Sequence, residues 1–262
     1  MPDRYTSLVA LVLDAPLEDV GAIVNAAVAA GDIDRASAVR DPTEAMEVLW
    51  GGRMQKAVVR RVEGNDGAAL LRAETLVATD GLKQGMRRQA LLLQALGRQL
   101  RGRVRAIRDL SGDVEHDEAW LHRMAAGQVE VEDVISLHTE GTGTLWVHTH
   151  GAARFDIPDL EMYGLNRSQV PGAERVIRHV HEQLLRGGLK ADLTLEDGTP
   201  IYLVPALEAW THMPLDWPGI GRAGQPRIGH EGPRATVSIL TKPRLGRFKR
   251  DFKGVINRLP KD

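Results

Sequence analysis

Two imidazoles and two carboxylates crowd one short stretch of this chain. The run Trp146-Val147-His148-Thr149-His150-Gly151 is followed shortly by Asp159-Leu160-Glu161. A β-strand alternates its faces, so Trp146, His148 and His150 share one side while Leu145, Val147 and Thr149 share the other. The same rule sets Asp159 and Glu161 together, opposite Leu160 and Met162. If the two strands pair, both imidazoles and both carboxylates meet on one side of a sheet. The eight residues from Gly151 to Pro158 connect them.

Three readings fit that set. Two histidines and a carboxylate with one open position suit catalytic zinc, whose bound water has a pKa near ~7; they also suit non-haem iron. Cross-strand pairing of an imidazolium with a carboxylate needs no chemistry and stabilises a sheet by ~0.2–1 kcal/mol. The third is a polar network that holds the loop carrying Arg154.

The element resembles a family of uncharacterised bacterial proteins with the pattern W-[LVI]-H-T-H-G-x-x-R-x-x-x-x-[DE]-L-E. Trp146, Val147, His148, Thr149, His150, Gly151, Arg154, Asp159, Leu160 and Glu161 fit it, and Trp120-Leu121 upstream is similar as well. That resemblance brings no activity with it. The element also resembles, in part, the H-x-H-x(7)-S-x(2)-D motif of JAMM-type zinc isopeptidases. His148 and His150 take the places of its zinc-binding histidines. Glu161 stands at the acid position, Pro158 at the serine and Gly151 at the usual proline, and no upstream glutamate can be assigned as the base.

A second concentration of charge is basic. Residues 81–108 hold eight Lys or Arg and no acid, and residues 234–262 hold nine against Asp251 and Asp262. Arg87, Arg88, Arg98 and Arg101 with the tail form a candidate anion- or nucleic-acid-binding surface. Few aromatics are interleaved, which disfavours stacking of single-stranded bases. The loop 213–233 is rich in Pro and Gly. Its Ile220-Gly221-Arg222-Ala223-Gly224 lacks the Lys-[Ser/Thr] of a phosphate loop, and Trp210, His212, Trp217 and His230 could line a pocket near it. His179 and His181 lie two apart on a helix and point to different faces.

The whole chain narrows these choices. Its 262 residues contain no cysteine, which excludes disulfides, thiolate zinc sites and iron–sulfur clusters. A net charge of −1 gives no global bias toward nucleic acid or membrane. The apolar run Leu8–Leu13 is too short for a signal-peptide core, and no stretch reaches the ~20 apolar residues of a membrane span. The expected compartment is the cytoplasm.

Periodicity gives the elements that must position these groups. Leu8 to Leu13 reads as a buried strand, with a helix after Pro16 carrying Leu17, Val20, Val24, Ala27 and Val28. Strands follow at Ala57–Val59 and Ala68–Ala78. Leu82, Met86, Ala90, Leu93, Leu96 and Leu100 mark a long helix, ended by Gly102, and Val104–Ile107 is the next strand. The β-α-β-β-α-β order predicts a split βαβ sandwich over residues 1–112. The acidic segment 109–118 is the candidate boundary, and residues 113–262 form a second α+β domain with antiparallel hairpins. There, a short helix starts at Trp120, and strands at Val134–His138 and Thr144–His150 flank Gly141-Thr142-Gly143. Leu160–Tyr163 is another strand, and Ala173, Val176, Ile177, Val180 and Leu184 mark a helix. Asp197-Gly198 reads as a hairpin turn between Leu193–Leu195 and Ile201–Leu203. A strand at Ala235–Leu240 and a basic tail helix end the chain.

The leading expectation is an α+β, non-enzymatic, cytosolic binding or regulatory protein. Trp146, His148, His150, Arg154, Asp159 and Glu161 would recognise a protein or small molecule. The second expectation is a zinc hydrolase with His148, His150 and Glu161 as ligands, or Asp159 in place of Glu161. The third is the anion or nucleic-acid binder.

Overall fold

The computed structural model describes residues 4–52, 55–78, 81–187, 192–206, 209, 236–241, 255 and 258. The fold is α+β and divides into two compact units, residues 1–134 and 135–262.

In the first unit, β1 (Arg4–Leu13) leads into α1 (Val20–Ala29). Asp19, not Pro16, sets the helix start: its carboxylate accepts from Ala22 N at 2.9 Å, leaving Leu17 buried ahead of the helix. Four strands follow, β2 (Arg35–Ala38), β3 (Ala45–Trp50), β4 (Gln55–Glu63) and β5 (Ala69–Ala78). Helix α2 (Leu82–Leu100) ends where Arg101 and Gly102 turn left-handed, and β6 (Val104–Asp109) returns through the sheet. With β7 (Val114–His116), the sheet order is β2-β3-β4-β5-β1-β6-β7, every neighbouring pair antiparallel. Its centre, β4-β5-β1-β6 with α1 and α2 as crossovers, is the predicted split βαβ. Strands β2 and β3 extend one edge.

Strand β7 extends the other edge, and α3 (Glu118–Ala125, capped by Asp117) packs on α2. The acidic segment therefore belongs to the first sheet. Glu115 pairs with Arg108 at 2.9 Å, and Asp109 accepts from Ser111 N and Gly112 N to close the β6–β7 turn. The division falls at 134/135 rather than at 112/113 because β7 is laddered to β6 and α3 has its partner in α2.

Alternation places Ser7, Val9, Leu11 and Leu13 of β1 toward the helices. One polar pair sits in that core. The Gln89 amide of α2 donates to the Ser7 and Ala73 carbonyls, both at 3.1 Å, and accepts from the Ser7 hydroxyl at 2.8 Å. At Gly85, α2 approaches β5 so closely that an added Cβ would overlap Val77 Cγ1. On the opposite sheet face Ala10, Val12, Leu70 and Ala106 cluster.

In the second unit, β8 (Ser136–Glu140), β9 (Leu145–His150) and β10 (Leu160–Leu165) form an antiparallel meander. Helix α4 (Val170–Gly187) lies against β9 and β10 and buries Ala173, Val176, Ile177, Val180 and Leu184. Strand β12 (Val237–Leu240) runs parallel to β10, and β11 (Tyr202–Pro205) pairs with β12, giving the order β11-β12-β10-β9-β8. The Asp197-Gly198 turn forms, with Leu195 N donating to Thr199 O. Its arms are joined at the Thr194–Pro200 bridge and by Ile201 N donating to the Leu193 carbonyl at 3.0 Å, and the returning segment continues into β11 to pair with β12. The loop 213–233, Trp210, His212 and the basic tail lie outside the described residues, apart from Val255 and Arg258.

Candidate functional site

Strand β9 is central, between β8 and β10, and every expected group on it follows the pleat. His148 stands opposite Glu161 of β10 and His138 of β8, and Trp146 stands opposite Tyr163 and Glu140. The shared face therefore carries a third imidazole. Ring centroids lie 5.5 Å apart for His138–His148, 5.1 Å for His138–His150 and 4.9 Å for His148–His150. Trp146 is stacked between His148, at 3.7 Å, and Tyr163, at 5.2 Å. The result is an aromatic ladder across three strands.

Most of this ladder is interior. Trp146, His148, Glu161 and Tyr163 are at most 3% exposed. Glu161 accepts a hydrogen bond from the Ser238 hydroxyl at 2.5 Å, which ties β10 to β12. His138 and His150 are half-buried and Glu140 is exposed, so the accessible part of the set is a rim on the β8 side. Glu140 reaches His148 Nε2 at 3.5 Å, and the Ser136 hydroxyl bonds His138 Nε2 at 2.7 Å.

Asp159 departs from the expected arrangement. It lies one residue before β10, where the pleat no longer dictates its direction. Its carboxylate turns to the β9–β10 connection, accepting from Ala152 N at 3.0 Å and from the Thr149 hydroxyl at 3.3 Å. Thr149, on the opposite face of β9 from the histidines, also accepts from Leu160 N at 2.9 Å. The connection between them is a 3-10 turn, Ala152–Phe155, that follows Gly151 in a left-handed conformation (φ 103°) and carries Arg154. Asp159 thus caps the turn that presents Arg154, which is fully buried. From α4, the His181 ring bonds the Pro158 carbonyl at the other end of this connection.

Burial pushes the Asp159 carboxyl up to about 7, against the opposing pull of the Ala152 amide, the Thr149 hydroxyl, the Arg154 charge and the Gly151 amide. Burial likewise pushes His181 down to about 4, with its bond to Pro158 acting in the opposite direction. His181 is therefore a neutral core histidine.

His148, His150 and Glu161 do share a face, but no three histidine or acidic side chains among the described residues are arranged as ligands of one ion. The His138 and His148 rings lie almost parallel, 18° apart, so they stack rather than converge. Among the described residues, two of the four arginines of the expected anion surface have partners within the fold. Arg87 donates to the Ala125 carbonyl in the last turn of α3 at 3.2 Å, and Arg98 pairs with Asp32 at 2.6 Å. Arg88 is half-buried and Arg101 forms the left-handed end of α2.

Sequence reasoning gave no site role to His138, Glu140, Tyr163 and Ser238, and named Thr149 and His181 without the contacts they make. Two of them were readable: His138 and Glu140 alternate in phase across the Gly141–Gly143 turn from His148 and Trp146. Ser238 was not, because its pairing with Glu161 comes from a parallel neighbour 77 residues away.

Comparison with known proteins adds a family match and no activity. No curated protein and no solved structure matches the chain. The C-terminal region of a protein family of unknown function, DUF4026, matches residues 131–208, which run from β8 through β11 and include the whole Trp146–Glu161 element.

Proposed function

We propose that the second unit is a binding module that acts without covalent chemistry and recognises a protein or small molecule through the rim of His138, His150 and Glu140. The observation that supports this reading is the division of labour within the polar set. Asp159 is committed to Thr149 and Ala152, and Glu161 to Ser238, so both carboxylates serve the scaffold. Trp146, His148, Tyr163 and the buried Arg154 stiffen the same scaffold, and only the rim meets solvent. A general base, by contrast, must reach a reacting proton.

The test is site-specific photo-crosslinking in the native host. A photoreactive residue at position 150 is expected to give a discrete adduct that a His138→Ala, Glu140→Ala background abolishes. The same residue at Glu182, on the exposed side of α4, is expected to give none. Identical adducts from both positions would contradict the reading. A zinc hydrolase built on His148, His150 and Glu161 is the second reading, favoured by the three clustered imidazoles. It requires His148 to leave its stack on Trp146.

A further inference from the structure

The first unit holds a cavity of about 380 Å³ between α2, β6, β1 and α3. It is independent of the histidine rim, and its lining residues lie outside the stretch matched by the family. Leu11, Ile107 and Leu121 form its apolar wall, and Arg98, Arg105 and His122 stand around it. That size, with an apolar wall and a few polar groups, is characteristic of small-molecule sites.

Two features argue for a ligand rather than a packing defect. The first is Gly97, in the last turn of α2 and on the cavity lining. A glycine inside a helix costs about 1 kcal/mol relative to alanine. Packing does not demand it: an added Cβ would meet only Leu11 Cδ1 at 3.9 Å, an ordinary contact. Gly97 therefore keeps space open at the expense of helix stability. At Gly85, on the same helix, the sheet itself forbids a side chain.

The second feature is charge. Glu118, the one acid among the described residues of the lining, faces His122 Nε2 at 3.5 Å, and Gln94 bonds His122 Nδ1 at 2.9 Å. Arg98 is held by Asp32 at 2.6 Å through one of its nitrogens. The Arg105 guanidinium has no ion pair or hydrogen bond among the described residues. The cavity thus combines an apolar wall with one uncommitted cation and a second, partly committed one.

We infer that this cavity binds a small amphipathic carboxylate, its head on Arg105 and Arg98 and its apolar body against Leu11, Ile107 and Leu121. Octanoate is the probe and octan-1-ol its uncharged control, titrated into the full chain and followed by calorimetry and by amide shifts of β6. Octanoate should bind about tenfold more tightly than octan-1-ol, the contribution of a charge-assisted hydrogen bond. Arg105→Gln, at an exposed position that leaves the fold intact, should reduce octanoate to the level of the alcohol. Gly97→Leu, which fills the space, should abolish both. Equal affinity for acid and alcohol would overturn the inference, as would unchanged octanoate binding by Arg105→Gln.

Discussion

Replacing Asp159 with Asn should change how the stability of the second unit depends on pH. In the folded chain burial raises the Asp159 carboxyl to about 7, against an ordinary value of 3.8. Between those values the folded state holds more protons than the unfolded state, so this group's contribution falls as pH rises and is flat above 7. A rise of that size corresponds to at most about 4 kcal/mol. His181 acts oppositely. Its folded value is lowered to about 4 from 6.5, so its contribution is complete above 6.5 and is lost as pH falls toward 4. The two slopes nearly cancel in the wild type between about pH 4 and 6.5. Asn keeps the acceptor for Ala152 and Thr149 without the titration, so Asp159→Asn leaves the His181 slope uncovered. The variant's stability should then rise with pH over that window, by up to about 3 kcal/mol. The assay is urea unfolding at a series of pH values, read by hydrogen exchange of the peptide spanning β9 and β10. A difference between variant and wild type that does not vary with pH would refute the reasoning.

Other substitutions probe the same logic. Thr149→Val removes the acceptor for Leu160 N and the donor to Asp159, and should cost about 1–3 kcal/mol in the same unfolding assay. Gln89→Leu strands its partners on Ser7 and Ala73 and should destabilise the first unit by about 2 kcal/mol, read by exchange of β1 and β5 peptides. Alanine at two glycines of one helix should act in opposite directions. Gly85→Ala overlaps Val77 and should cost about 1–3 kcal/mol, whereas Gly97→Ala should gain up to about 1 kcal/mol, both measured by thermal unfolding. Loss of stability at both positions would contradict the account of α2.

Much of this architecture could be read from short-range pattern. The steps of three and four from Leu82 to Leu100 define α2 because one helical face must be apolar to cover a sheet, and that face is buried. The period of two in β9 places Trp146, His148 and His150 together for an equally local reason. The reading fails where tertiary pairing decides. Asp159 sits just outside its strand, so turn capping, not the pleat, directs it. The segment 114–116 looks like an acidic linker, yet it pairs with β6 through Arg108 and Glu115. The partners of Arg98 and Arg87 on α2, Asp32 and the Ala125 carbonyl, leave no sign in the local sequence because they lie far away along the chain. Burial of a histidine and a glutamate on one sheet face also leaves no mark in composition, since the same residues would suit an open site.

The claim most exposed to test is that the histidines and carboxylates around β9 form a scaffold and a recognition rim rather than a metal centre. Zinc content settles it most directly, measured on the full chain after expression with added zinc and dialysis against metal-free buffer. The account predicts well under one zinc per chain and an unfolding transition that a chelator does not move. Zinc at one per chain, lost on replacing His148 or Glu161 in a variant that still folds, would contradict it.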